Sequence, residues 1–229
     1  MIYGNKEGIR DSLLAKLETL YDIEIPAEVF APAELLDVLA AFTCAINREI
    51  SIYVSRSGEV LDITIGGVSS VELKDMHLRR NTKRLSMVRC IHTHPGGNPQ
   101  LSDVDISSLR AMRFDAMAAV GAKDGHATGI QAAFLGEYVG GMNRVHLTEV
   151  APVYKLPQRA WMDAIERADS EVLIGAPNTT KEDQERAFLV GLDSDESLLE
   201  LARLAETAGA QVIGTMLQRK TRPDTATYI

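Results

Sequence analysis

Between Ile46 and Ile50 the spacing of apolar residues changes, and that change requires a fold mixing helix with sheet. Upstream, Ile9, Leu13, Leu17 and Leu20 recur at helical spacing behind Asn5, a capping residue, so the first 20 residues read as an amphipathic helix. Leu35, Leu36, Leu39, Phe42 and Ile46 give a second helix over 33–48, with Pro32 at its start and Glu49 at its end. From there Ile50, Ile52 and Val54 alternate with Ser51, Tyr53 and Ser55. Ser57 and Gly58 then turn the chain into Val60, Ile63 and Ile65, completing a hairpin.

A polar stretch over 66–86 leads into a short strand, 87–92, with histidines at its end. After the loop Gly96, Gly97, Asn98, Pro99, Ser102 can cap a helix running through Leu109 and Met112. Residues 116–120 read as a buried strand closed by Gly121, and 130–135 with 145–150 as a second hairpin. This order predicts an α/β domain over 1–155, a mixed sheet flanked by helices. Residues 156–186 read as a connecting helix, 157–172, and a linker through Gly175 and Pro177. Over 187–229 a strand at 188–192, a helix at 196–208 stopped by Gly209, and a strand at 212–217 form a partial βαβ unit. Such a unit cannot bury both sheet faces alone. It is expected to pack onto the first domain or to pair with another copy, making a homo-oligomer.

With 229 residues, 45% of them hydrophobic and 24% charged, the chain can build a sizeable core. The formal charge of −8 argues against wholesale binding to a phosphate backbone. Lys74, Arg79, Arg80, Lys83 and Arg84 form the one basic run, which reads either as a solvated loop face or as a local nucleic-acid contact. Cys44 and Cys90 have no Cys-x-x-Cys spacing, and no apolar run approaches the roughly 18 residues of a membrane span. A soluble cytoplasmic protein with no membrane partner is expected.

The chemistry concentrates in His92, Thr93, His94, Pro95 and, six residues on, Ser102 to Asp105. Side chains two apart on a strand share a face, so His92 and His94 present both imidazoles to one ion. Asp105 lies in the first helical turn after Ser102, which a tight loop can bring back over the strand end. Ser102-x-x-Asp105 alone is also a plain capping pattern. Together, two histidines and a carboxylate are the three-ligand set of a catalytic Zn2+ site, whose fourth position stays open to water.

These residues resemble the signature of the JAMM (MPN+) metallohydrolases, of which RadC-like proteins carry a related version. The resemblance implies a JAMM-like, cytidine-deaminase-like mixed sheet, with zinc on His92, His94 and Asp105. It also implies that Ser102 steadies the tetrahedral intermediate and that a glutamate at the edge of an early strand is the general base. Glu49, immediately before the strand starting at Ile50, matches that placement. The substrate so implied is a peptide or protein.

A second resemblance spans most of the chain. Residues 1–5, 89–95 and 110–116, then 190–192, 204–210 and 222–229, are similar to the amino-terminal region of bacterial HflX GTPases. This implies a parent GTPase module and the large ribosomal subunit as partners, with the present residues stopping short of that module. No Gly-x-x-x-x-Gly-Lys-Ser/Thr occurs, so these residues hold no P-loop. Two functions remain open: a zinc amidohydrolase, and a non-catalytic zinc-containing module that positions the GTPase.

Overall fold

The structure, a computed structural model, describes residues 2–66, 84–175, 186–191, 194–207 and 210–217. Contacts divide the chain into two units, Met1–Ala176 and Pro177–Ile229. The first is a mixed α/β unit. In chain order it holds β1 (Tyr3–Gly4), α1 (Asp11–Glu18), α2 (Ala33–Ile46), β2 (Ile50–Ser55), β3 (Val60–Ile65), β4 (Val88–Pro95), α3 (Asp103–Met112), β5 (Ala116–Lys123), β6 (His126–Val139), β7 (Met142–Leu147) and α4 (Gln158–Glu171). One seven-stranded sheet runs β1-β3-β2-β4-β5-β6-β7. The β1/β3 and β4/β5 pairs are parallel and the other neighbours antiparallel.

The amino-terminal helix is shorter than its apolar period suggests. Helix begins only at Asp11, and Tyr3–Gly4 add an edge strand to β3. Gly4 has φ +87, and a Cβ there would lie 2.0 Å from the Ile65 carbonyl oxygen, so the close backbone approach excludes both helix and side chain. Asn5 accepts the Glu7 N–H (3.1 Å) instead of capping a helix. The second helix matches the reading closely: α2 follows Pro32 and stops where Asn47 turns left-handed at φ 50. The hairpin at Ser57-Gly58 is present. The second hairpin is longer than its apolar residues suggested, because β6 extends over His126–Val139 and pairs with both β5 and β7.

Alternation along the strands divides the core into two layers. On one face, Ile52, Ile63, Ile91, Ala118 and Ile130 meet Leu35, Leu36 and Leu39 of α2. On the other, Tyr53, Cys90, Met117 and Ala133 meet Leu109 of α3. Helix α4 is part of this core: Trp161 stands edge-on to Phe30 (5.0 Å between centroids, 89°) and Phe134 (6.4 Å, 72°), and Ile165 is buried beside it. At the other end of β4, Arg89 is almost wholly buried and donates to the carbonyls of Val29, Phe30 and Ser55. Burial pushes its guanidinium down to about 10.

The second unit contains β8 (Arg186–Gly191) parallel to β9 (Gln211–Leu217), joined through α5 (Asp195–Thr207). Leu189 and Leu198 are buried within it, while Phe188, Leu199, Leu204 and Ile213 stay exposed. The stop at Gly209 and the tail 222–229 fall outside the described residues, as do Lys74, Arg79, Arg80 and Lys83 of the basic run. Among the described residues no helix is long and apolar enough to cross a membrane.

Candidate metal centre

Strand β4 is central, with β2 antiparallel on one side and β5 parallel on the other. Helix α3 carries the chain from β4 to β5 and starts beside the carboxyl ends of those strands, the usual place for a site in such sheets. His92 and His94 therefore face the α3 layer. Thr93 faces the opposite one, where its hydroxyl bonds Thr43 of α2 (2.5 Å) and accepts the Ile50 N–H (2.9 Å). That contact pins the register of β2 against β4 at the level of the histidines.

Ser102 caps α3 and Asp105 is its partner in a complete capping box. The Asp105 Oδ2 accepts from the Ser102 N–H (2.7 Å) and hydroxyl (2.8 Å), which aims Oδ1 at His92. The capping pattern and the ligand pattern are thus one arrangement: the cap orients the carboxylate.

His92 Nε2 lies 2.9 Å from His94 Nε2 and 3.2 Å from Asp105 Oδ1, and His94 Nε2 lies 3.6 Å from Asp105 Oδ2. A tetrahedral ion with bonds of about 2.0–2.1 Å separates its ligand atoms by about 3.3 Å. The separation between the imidazoles and that from His92 to Oδ1 fall just below that length, and that from His94 to Oδ2 just above it, each histidine facing a different oxygen of the carboxylate. The donors suit a metal: two neutral imidazole nitrogens at 2.9 Å repel through their lone pairs unless a proton or a cation lies between them. His94 Nδ1 is 3.1 Å from the Asn98 carbonyl, to which it donates, leaving Nε2 as the coordinating atom. His92, His94 and Asp105 can therefore hold a metal ion.

Electrostatics follow the same geometry. The hydrogen bond to Asp105 raises His94 above the usual imidazole range, against burial, with help from the Asn98 carbonyl and the Glu49 charge. Burial pushes the Asp105 carboxyl up, but hydrogen bonds from His92 and His94 outweigh it and hold the group well below the carboxylate range. Access is from one flank: the His92 side chain is fully buried, whereas 17% of the His94 side chain is exposed.

No protein-family model matches the chain, and neither does any curated protein.

Glu49 is near this centre but outside the three-residue cluster. It directly precedes β2, whose Ser51 pairs with His92, and its charge is close enough to bear on His94. Its backbone is held by the Gly66 N–H, which donates to the Glu49 carbonyl (2.9 Å). The side chain is half-buried. Ser102 is present too, with its hydroxyl engaged by Asp105.

Two residues at the site have no sequence motif of their own. Asn98 supplies the carbonyl for His94, and Gly121 on β5 makes room for the loop that carries it: a Cβ at Gly121 would sit 2.4 Å from the Gly97 carbonyl oxygen and 2.3 Å from Thr128 Oγ1. The glycine pair before Asn98 was the only hint. Elsewhere, Glu137, His146 and Glu171 form a second ligand-like group, but it is more exposed and Arg144 pairs with Glu137 at 3.0 Å.

Proposed function

We propose that the first unit is a zinc-dependent amidohydrolase of the JAMM type, cleaving a peptide or isopeptide bond. What supports this is the convergence of His92 Nε2, His94 Nε2 and the Asp105 carboxylate at ion-binding separations, with one flank reachable from solvent. Two nitrogens and one oxygen are the donor set of catalytic zinc, leaving a position for the reactants. When bound, zinc supplies Lewis acidity, activating water and polarising a carbonyl oxygen.

The chain's own residues supply the remainder. Glu49, close enough for its charge to bear on the partly exposed His94, takes the proton from the attacking water and returns it to the leaving amine. Ser102 holds Asp105 in its ligating orientation through its backbone N–H and hydroxyl, and that hydroxyl can turn to donate to the developing oxyanion. Asn98 keeps His94 in the tautomer that leaves Nε2 free.

In the same proposal, the unit serves an HflX-type translational GTPase acting at the large ribosomal subunit, as the motif likeness implies. Co-sedimentation with large ribosomal subunits at two salt concentrations tests that part. For the hydrolase, elemental analysis of purified protein should return about one zinc per chain. The Glu49→Gln protein should keep the zinc while cleavage of peptide and isopeptide substrates falls by about 100-fold or more. Undiminished cleavage in Glu49→Gln would remove the assigned base, and zinc without cleavage in the parent would leave a binding module.

A further inference from the structure

Five buried side-chain polar atoms make no hydrogen bond among the described residues: Ser51 Oγ, Tyr53 Oη, Thr64 Oγ1, Ser86 Oγ and His92 Nδ1. Four of them belong to one patch. Thr64, Ser51 and His92 are successive cross-strand partners on β3, β2 and β4, and paired residues direct their side chains to the same face. Tyr53 shares that face, two residues along β2 from Ser51 and opposite Cys90. All four residues are fully buried. The Tyr53 hydroxyl lies close enough to Ser51 and Cys90 for both to bear on its ionisation, without a well-formed hydrogen bond to either.

A histidine that ligates through Nε2 carries its proton on Nδ1, and that N–H needs an acceptor. His94 has one in the Asn98 carbonyl, whereas His92 does not. The β5 residue paired with His92 is Ala119, which has no polar side-chain atom. The β2 residue paired with it is Ser51. Cβ atoms of directly paired residues lie about 4.5–5.5 Å apart, so rotation about the Cα–Cβ bond of Ser51 brings Oγ within reach of the imidazole.

We propose that Ser51 is a positioning residue for the metal: its Oγ accepts the Nδ1–H of His92 and holds the tautomer whose Nε2 faces the ion, while Tyr53 and Thr64 complete the hydrogen bonding of Ser51. This rests on the metal-binding reading above. It accounts for a hydroxyl row in a layer where alanine or valine would pack without an unpaired polar group. The serine acts on the ligand and touches no substrate.

The test is a competitive chelator titration of the full chain with zinc, alongside long-range 1H–15N spectra of the histidine rings. Ser51→Ala should weaken zinc binding about 10–100-fold, the usual loss on removing the partner of a metal-bound histidine. Ser51→Thr, which keeps a hydroxyl, should stay within a few-fold of the parent, and Ser86→Ala, which deletes the remote unpaired hydroxyl, should change nothing. In the parent, His92 should show a protonated Nδ1 with zinc bound. Equal affinity in Ser51→Ala and parent, or an unprotonated His92 Nδ1 in the parent, overturns the proposal. If the parent fails to bind zinc, the metal reading falls by itself. The metal-free spectra then decide the contact: an Nδ1–H signal lost in Ser51→Ala supports it, and an unchanged one overturns it. Should Ser51→Ala not fold, the parent tautomer and Ser51→Thr affinity still decide.

Discussion

Gly121→Ala is the sharpest probe of how the loop after β4 supports the candidate metal centre. The added methyl would stand 2.4 Å from the Gly97 carbonyl oxygen and 2.3 Å from Thr128 Oγ1, where ordinary contact begins at 3.4 Å. The Gly97 backbone and the Thr128 side chain must therefore give by about 1 Å, an overpacking that costs about 1–3 kcal/mol. Movement of the loop breaks the Thr128 hydroxyl bond to Gly97 (2.7 Å). It also carries the Asn98 carbonyl, now 3.1 Å from His94 Nδ1, out to about 4 Å, beyond hydrogen-bond range. Losing a histidine's outer partner lowers metal affinity about 10–100-fold, equivalent to about 1.4–2.7 kcal/mol. Zinc titration against a chelator reads the affinity, and histidine NMR reads the His94 tautomer. Parental affinity together with an intact His94 Nδ1–H signal in Gly121→Ala would refute the chain of contacts from Gly121 to the candidate metal site.

Replacing Asp105 with alanine should remove both a ligand and half of the α3 capping box, so zinc binding is lost and the melting temperature falls in metal-free protein too; a normal zinc content would contradict the ligand assignment. Trp161→Ala should destabilise the first unit by about 3–5 kcal/mol, seen in denaturant melts of the full chain, whereas a change below about 1 kcal/mol would show that α4 does not seal the core. Burial raises the Asp62 carboxyl above its ordinary value, so its contribution to stability is present below about pH 3.8 and lost as pH climbs through the folded-state value. Asp62→Asn should therefore gain in melting temperature relative to the parent between pH 3 and pH 7, and a relative loss over that range would reverse the sign.

Residues 92–105 announced the candidate centre because its candidate ligands are local. His92 and His94 share a strand face, and Asp105 is set by its own capping box, so spacing alone groups them. The helix over 33–46 and the hairpin over 50–65 were equally legible, since periodicity acts over a few residues. The shorter amino-terminal helix was not, because Tyr3 and Gly4 are claimed by a strand some 60 residues away. The helix over 158–171 could be read from its period, but not that Trp161 reaches Phe30 and Phe134.

By itself, then, the sequence determined which residues could serve together as metal donors and which segments are helix or strand, through dihedral preference, capping and alternation. Only the tertiary structure decided that Ser51 pairs with His92, that the Glu49 charge reaches His94, and that Gly121 lets the loop carrying Asn98 approach β5. Those relations depend on strand register and backbone approach between distant segments. No spacing along the chain encodes them, because they come from packing the whole sheet at once.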